Sequence, residues 1–206
     1  MADEPHVLIV NGSYREGGIS DQMAQLILKR LQNEGIGATQ LLLRDTPIEF
    51  CTNCRNCVQS EGEAPGRCVI DDGMVQVIEQ IETAAGYVFI SPTNMGTVTA
   101  IFKRFLERLT VYGYWPWGKP APTLRKNESK AALCLSSCAA PSLIAQLLYG
   151  TMGVLKQTAR CVGAKVVDTL MIGLIAGEEH PHLGENDAKR VEAVAKKLIA
   201  ALKRST

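Results

Sequence analysis

Five short apolar runs, each separated from the next by a helix-length segment, constrain this chain most. The runs are His6-Val7-Leu8-Ile9-Val10, Gln40-Leu41-Leu42-Leu43, Tyr87-Val88-Phe89-Ile90, Ala131-Ala132-Leu133-Cys134-Leu135 and Val166-Val167-Asp168-Thr169-Leu170-Met171-Ile172. Most lack the in–out alternation of a strand with one wet face, so they read as strands covered on both sides. Between them apolar residues recur at helical spacing. Ala24, Ile27, Leu28 and Leu31 share one face of a helix starting near Ser20 and ended by Gly35 and Gly37. Met74, Val77, Ile78 and Ile81 share another, capped by Asp71-Asp72. Ile101, Phe102, Phe105 and Leu109 form a third, and Pro141 opens a long fourth. In the last, Val191, Val194, Leu198 and Leu202 point inward and Lys196, Lys197, Lys203 and Arg204 outward. Strand–helix alternation without a repeat or linker predicts one α/β domain over residues 1–206, a parallel sheet with helices on both faces.

In such a sheet, ligands bind at the carboxyl ends of the strands, so the loops there are the candidate site. The first is Asn11-Gly12-Ser13-Tyr14-Arg15-Glu16-Gly17-Gly18-Ile19-Ser20. Hydroxyls, glycines and an arginine meet a helix amino terminus, where free amides and the helix dipole favour a phosphate. Gly18-Ile19 stand where an ATP-type loop needs Lys and Ser/Thr, and Tyr14 interrupts a G-x-G-x-x-G fingerprint. A Ser-capped helix after a Gly turn is the structural alternative. The second loop runs Ser91-Pro92-Thr93-Asn94-Met95-Gly96-Thr97, rich in main-chain amides and free of charge, as suits a flat polar-edged ring. The third, Ser136-Ser137-Cys138-Ala139-Ala140-Pro141, is small and polar but unspecific.

These loops carry a resemblance. Ser91, Pro92, Gly96, Thr99, Ala100, Lys103, Phe105, Glu107 and Arg108 match every fixed position of S-P-x-x-x-G-x-x-[ST]-[AG]-x-x-K-x-F-x-[DE]-R. That pattern is similar to the second cofactor loop of the NAD(P)H-dependent FMN reductase family. Gly12, Ser13, Arg15 and Ser20 match the G-S-x-R-x-x-x-x-[ST] phosphate loop of the same family. The resemblance implies a flavodoxin-like sheet of order 2-1-3-4-5 that binds FMN. It implies FMN contacts from Gly12, Ser13, Arg15, Gly18, Ile19 and Ser20, from Pro92, Thr93, Asn94, Met95, Gly96 and Thr97, and from Ser137, Cys138 and Ala139. NAD(P)H is then the electron donor and a flavin, quinone or other small molecule the acceptor. The flavin supplies the chemistry, so no catalytic acid or base is nominated. Arg108 and Glu107 are expected to support packing.

Seven cysteines, three of them as Cys51-Thr52-Asn53-Cys54-Arg55-Asn56-Cys57, suggest metal, cluster or redox chemistry before disulfides. With Cys68 the segment resembles the iron–sulfur flavoprotein branch of the family, where four cysteines hold a 4Fe–4S cluster. Here ten residues, including the acidic Gly-Pro stretch 60–66, intervene before Cys68, more than in that branch. That departure tips the reading toward free thiols with no metal. A cluster on Cys51, Cys54, Cys57 and Cys68, and a zinc site, remain the alternatives. An electron carrier with FMN and a cluster, and a non-enzymatic flavodoxin-like binding protein, are the competing functions.

The net charge of +1 gives no electrostatic case for nucleic acid or anionic lipid. No apolar run reaches the ~20 residues that span a bilayer. The acidic start Met1-Ala2-Asp3-Glu4-Pro5 lacks a signal-peptide pattern, so a cytoplasmic location is expected. Tyr112, Tyr114, Trp115 and Trp117, among prolines, suggest a subunit interface of a dimer or tetramer, or a lid. His180-Pro181-His182 lacks the companions of a metal site.

Overall fold

A computed structural model describes residues 5–205; the Met1–Glu4 start lies outside the described residues. Five strands form one parallel sheet: β1 (His6–Asn11), β2 (Gly37–Leu42), β3 (Gly86–Ile90), β6 (Lys130–Ser137) and β7 (Ala164–Ile172). Their spatial order is β2-β1-β3-β6-β7, which is the expected 2-1-3-4-5 once a two-residue-strand hairpin, β4 (Gly113–Tyr114) and β5 (Thr123–Leu124), is counted. The register sets Val10 beside Leu41 and Phe89, and Phe89 beside Cys134.

Alternation along the strands divides the core in two. Leu8, Val10, Tyr87, Phe89 and Cys134 face α2 (Met74–Thr83), α3 (Ala100–Arg108) and α5 (Thr151–Cys161). Val7, Ile9, Val88, Ile90, Leu133 and Leu135 face α1 (Ile19–Gln32) and α6 (Glu185–Ser205). Each central side chain is fully buried at ~2 kcal/mol apiece, which is why the runs are apolar on both parities.

The long helix expected after Pro141 is two helices, α4 (Ser142–Leu148) and α5. The chain leaves helical geometry at Tyr149 (φ −107°, ψ 140°), and the Gly150 amide donates to the Gly96 carbonyl at 2.8 Å. A site loop thus captures the break, a contact between residues 54 apart that periodicity does not encode. The aromatic excursion also resolves differently from a lid. Trp115 and Trp117 stack on the Arg55 guanidinium, 3.8 and 4.2 Å from their ring centroids, and Tyr112 is buried with its hydroxyl donating to Glu82 at 3.0 Å. Two of the aromatics are therefore used within the chain, to hold the cysteine segment.

Candidate functional site

The carboxyl ends of β1, β3 and β6 bring the three loops together. The Thr99 hydroxyl donates to the Gly12 carbonyl at 2.6 Å, and the Thr99 amide donates to Ser91 Oγ at 3.1 Å. The Thr93 amide donates to the Ser137 carbonyl at 2.8 Å, and the Ile101 amide to the Tyr14 hydroxyl at 3.1 Å. Around them lies a crevice of about 210 Å³ lined by Ser13, Arg15, Gly18, Ile19, Ser20, Pro92, Asn94 and Ser137. All eight were expected from the sequence.

The first loop is built from within. The Asn11 side chain accepts from the Ser13 amide at 2.9 Å and donates to Asp21 at 2.6 Å. Ser13 Oγ accepts from the Arg15 amide at 3.1 Å, closing a tight hydroxyl turn. Asp21, in the first turn of α1, also accepts from the Gly17 amide at 2.9 Å and from both terminal nitrogens of Arg44 at 3.1 and 3.0 Å. Its charge is therefore matched by Arg44 rather than left facing an anion. Gly18, extended at the head of α1, supplies no side-chain cap. Among the described residues the amides of Gly18, Ile19 and Ser20 have no acceptor, and the Arg15 guanidinium has no partner. Orphan amides at a helix start with an unpaired arginine beside them fit a phosphate dianion.

The second loop turns sharply. Asn94 and Thr97 exchange both main-chain hydrogen bonds, at 2.8 and 3.1 Å, while Met95 (φ 49°) and Gly96 (φ 79°) occupy left-handed geometry. This is a type I′ turn, which glycine serves without strain. Among the described residues the Met95 and Gly96 amides have no acceptor, so both are available to the polar edge of a ring.

The remaining expected residues lie around the crevice rather than in its lining. Met95, Gly96 and Thr97 complete the turn that Asn94 opens and are not part of the lining. Thr93 turns its hydroxyl to Ser136 and Thr151, at 3.2 and 2.9 Å. Gly12 is a close approach, since a Cβ there would lie 2.7 Å from the Phe102 ring. Ala139, within the third loop, is exposed. Cys138 is turned inward: its thiol contacts the Ala140 carbonyl and packs with Ala145 and Met171, its amide bonds Ile172 and its carbonyl Ile175. Burial raises its thiol pKa, so it is no activated thiol.

A fourth wall was missed. Tyr14, Ile175 and Pro181 also line the crevice, the last two from the loop after β7. Gln22 holds that loop, donating to Pro181 O at 2.9 Å and accepting from the Leu183 amide at 2.7 Å, while also donating to Gly17 O at 2.9 Å. Contacts across 160 residues leave no local signal.

The cysteine segment lies between β2 and α2. Asn53 (φ 54°) and Arg55 (φ 63°) turn it twice, and the Arg55 guanidinium donates to Trp115 O at 2.7 Å. The 60–66 insertion loops out and returns. Arg125 donates to the carbonyls of Gly62 and Ser60, at 2.9 and 2.7 Å, and Gly66 passes so close to Cys57 that a Cβ would lie 1.7 Å from the Cys57 carbonyl oxygen. The insertion therefore does not carry Cys68 away. Burial raises the Cys57 pKa, and the charges of the Cys68, Cys51 and Cys54 thiolates raise it further. Arg108, buried beneath, donates to Cys68 Sγ at 3.6 Å and pairs bidentately with Asp72. A cavity of about 770 Å³ adjoins Cys68, Met74 and Ile78.

A doubly wound parallel sheet with three loops converging at its carboxyl edge defines a flavodoxin-like fold. The chain belongs to the NADPH-dependent FMN reductase family, whose profile matches residues 5–174, and is thereby a flavin-dependent oxidoreductase. It is 26% identical over 191 residues to an iron-sulfur flavoprotein of Archaeoglobus fulgidus, covering 92% of this chain and 77% of that one. An iron-sulfur flavoprotein of Clostridioides difficile is 27% identical over 105 residues, covering 50% of this chain and 44% of that relative. Among solved structures, the NAD(P)H:quinone oxidoreductase of Methanothermobacter marburgensis aligns with a TM-score of 0.65 at 15% identity, covering 98% and 99% of the two chains. A flavone reductase aligns with a TM-score of 0.66 at 18% identity, covering 96% of this chain and 63% of that one. No helix among the described residues is long and apolar enough to cross a membrane.

Proposed function

We propose that this chain binds FMN in the crevice and passes reducing equivalents from NAD(P)H, through the flavin, to a small acceptor such as free flavin or a quinone. The observation that carries the reading is the orphan amide set of Gly18, Ile19 and Ser20 beside the unpaired Arg15 guanidinium. These groups would hold the phosphate, with Ser13 and Ser20 offering hydroxyls. The Met95 and Gly96 amides would receive the carbonyl edge of the ring, and Pro92, Ile19 and Ile175 would exclude water from its apolar parts. The isoalloxazine, once bound, supplies two-electron chemistry with the nicotinamide. The protein orients it and fixes the charge around it.

A second reading adds a 4Fe–4S cluster and makes the chain an electron carrier. The C-x2-C-x2-C spacing of Cys51, Cys54 and Cys57, followed by Cys68, favours it, as do the relatives named iron-sulfur flavoproteins. The closed insertion removes the length objection, because Gly66 returns to Cys57. Among the described residues, however, no group of three or more His, Cys, Asp or Glu side chains is arranged to hold a metal ion.

An anaerobic absorption experiment separates the two. The reductase reading expects flavin bands that bleach on adding NADPH or NADH and return on adding a quinone or riboflavin. A bound flavin indifferent to both nucleotides, with stoichiometric iron and sulfide, would replace it by the electron carrier.

A further inference from the structure

The segment 65–71 spans a gap in front of α2 instead of packing on it. It is fixed at both ends. The Gly66 amide donates to Val111 O at 2.8 Å, and Asp72 pairs with the buried Arg108 at 2.6 and 3.1 Å. Between these anchors the main chain of residues 67–71 makes no hydrogen bond among the described residues, and Cys68 Sγ, on Arg108, is the one hydrogen-bonding tether. Beneath the segment lies the cavity of about 770 Å³. Val69 and Ile70 of the segment line it together with Met74, Val75 and Ile78 of α2, and Val69 and Val75 are 59% and 41% exposed. Packed interiors leave few voids larger than a water molecule, whereas ligand pockets run to about 300–1,000 Å³. An aliphatic gap of this size, held open from both ends, has the dimensions of a pocket.

The polar groups decide what fits. Arg67, Asp71 and Glu79 line the cavity and make no hydrogen bond or ion pair among the described residues. Two carboxylates against one free guanidinium disfavour an anion. A cation would gain from the carboxylates only at the mouth, because the inner wall is aliphatic carbon and Arg108, where a second positive charge is costly to bury. Arg108 spends its terminal nitrogens on Asp72, Glu49 O and Cys68 Sγ, and its buried Nε has no acceptor. The walls therefore offer donors and apolar surface. We infer that this cavity binds an uncharged, mainly hydrocarbon small molecule of mono- or bicyclic size, carrying a carbonyl or similar acceptor oxygen for the Arg67 guanidinium. The cavity shares no residue with the crevice lining, so its occupant would bind whether or not the crevice holds FMN.

Coumarin, an uncharged bicyclic lactone, is the probe, titrated into the full chain with FMN present and followed by 15N–1H NMR. Saturable shifts are expected at the amides of residues 67–71 and 74–79, with a Kd of about 1 mM or below, as suits a ligand of roughly 11 non-hydrogen atoms. Val75→Trp fills the cavity from α2, and Val69→Asp puts a charge on its apolar wall. Each should weaken coumarin binding by roughly tenfold or more. Far-UV circular dichroism and FMN affinity should be unchanged, since both side chains are partly exposed. Leu147→Asp, on the exposed face of α4, should bind coumarin like wild type. The anion 2-naphthoate, of similar size, should bind at least about fivefold more weakly. No saturable shift by about 10 mM, or shifts confined to residues 12–20 and 92–97, would overturn the site. So would a folded Val75→Trp or Val69→Asp protein that binds coumarin as wild type does. Naphthoate binding tighter than coumarin would overturn the uncharged class. A chain that shows the shifts but binds no FMN would keep the site and sink the cofactor reading; one that binds FMN without them would do the reverse.

Discussion

Replacing Asp72 by Asn tests the buried pair that ties the end of the cysteine segment to α3. The Asp72 and Arg108 side chains are 8% and 1% exposed, and their oxygens and nitrogens meet at 2.6 and 3.1 Å. Each carboxylate oxygen also accepts a main-chain amide, Glu49 at 2.7 Å and Met74 at 3.0 Å. An asparagine keeps one acceptor oxygen and turns an NH2 toward two donors, while the Arg108 charge loses its counter-ion. Removing one partner of a buried pair costs about 3–5 kcal/mol, a large share of the ~5–15 kcal/mol that holds a domain together. Urea unfolding at pH 7, followed by circular dichroism, should therefore show a drop in this range. Arg108→Met combined with Asp72→Asn should recover much of it, because an apolar pair leaves no orphan charge. Acidity should mimic the mutation. Burial pushes the Asp72 carboxyl up, but hydrogen bonds from Arg108 and the amides of Glu49 and Met74 bring it below its ordinary value. A depressed carboxyl stabilises the fold above its unfolded pKa of about 3.9 and loses that contribution as pH falls through the lower folded value. A loss under about 1 kcal/mol for Asp72→Asn, or a double variant no better than the single, would refute the reasoning.

Two further outcomes concern the site. Gly96→Val should weaken FMN binding by roughly tenfold or more, because φ 79° is strained for a branched residue; fluorescence titration of a folded variant checks this, and unchanged affinity would move the ring elsewhere. Replacing Cys51, Cys54, Cys57 or Cys68 by Ser should leave FMN affinity within about threefold, since the cysteine segment shares no residue with the crevice lining and distant sites act independently. Iron and sulfide assays on the same anaerobic samples show whether wild type carries a cluster that each variant loses.

The sheet was legible because burial on both faces writes itself into uninterrupted runs such as Tyr87–Ile90. The crevice was legible where its contacts are local: the Ser13 turn and the start of α1 need only neighbours in sequence. What escaped depends on distant partners. Asp21 reads as an ordinary first-turn acid until Arg44 and Asn11 close on it. Ile175 and Pro181 enter the crevice only because Gln22 holds their loop. The break at Tyr149–Gly150 is likewise made by Gly96, against a helical pattern that continues through it. The insertion before Cys68 looked long in sequence, yet Arg125 folds it back so that its length adds little separation.

The claim at the centre of this account is that the first loop holds a phosphate. Paired titrations of FMN and riboflavin into wild type and Arg15→Ala test it most directly. Among the described residues the Arg15 guanidinium makes no hydrogen bond or ion pair and its residue is exposed, so its removal should change stability little and act mainly on the ligand. A charged hydrogen bond contributes about 1.5–3 kcal/mol, so FMN should bind Arg15→Ala roughly 10- to 100-fold more weakly, while riboflavin, lacking the phosphate, changes little. Equal losses for the two flavins, or a wild type that does not distinguish them, would contradict the account.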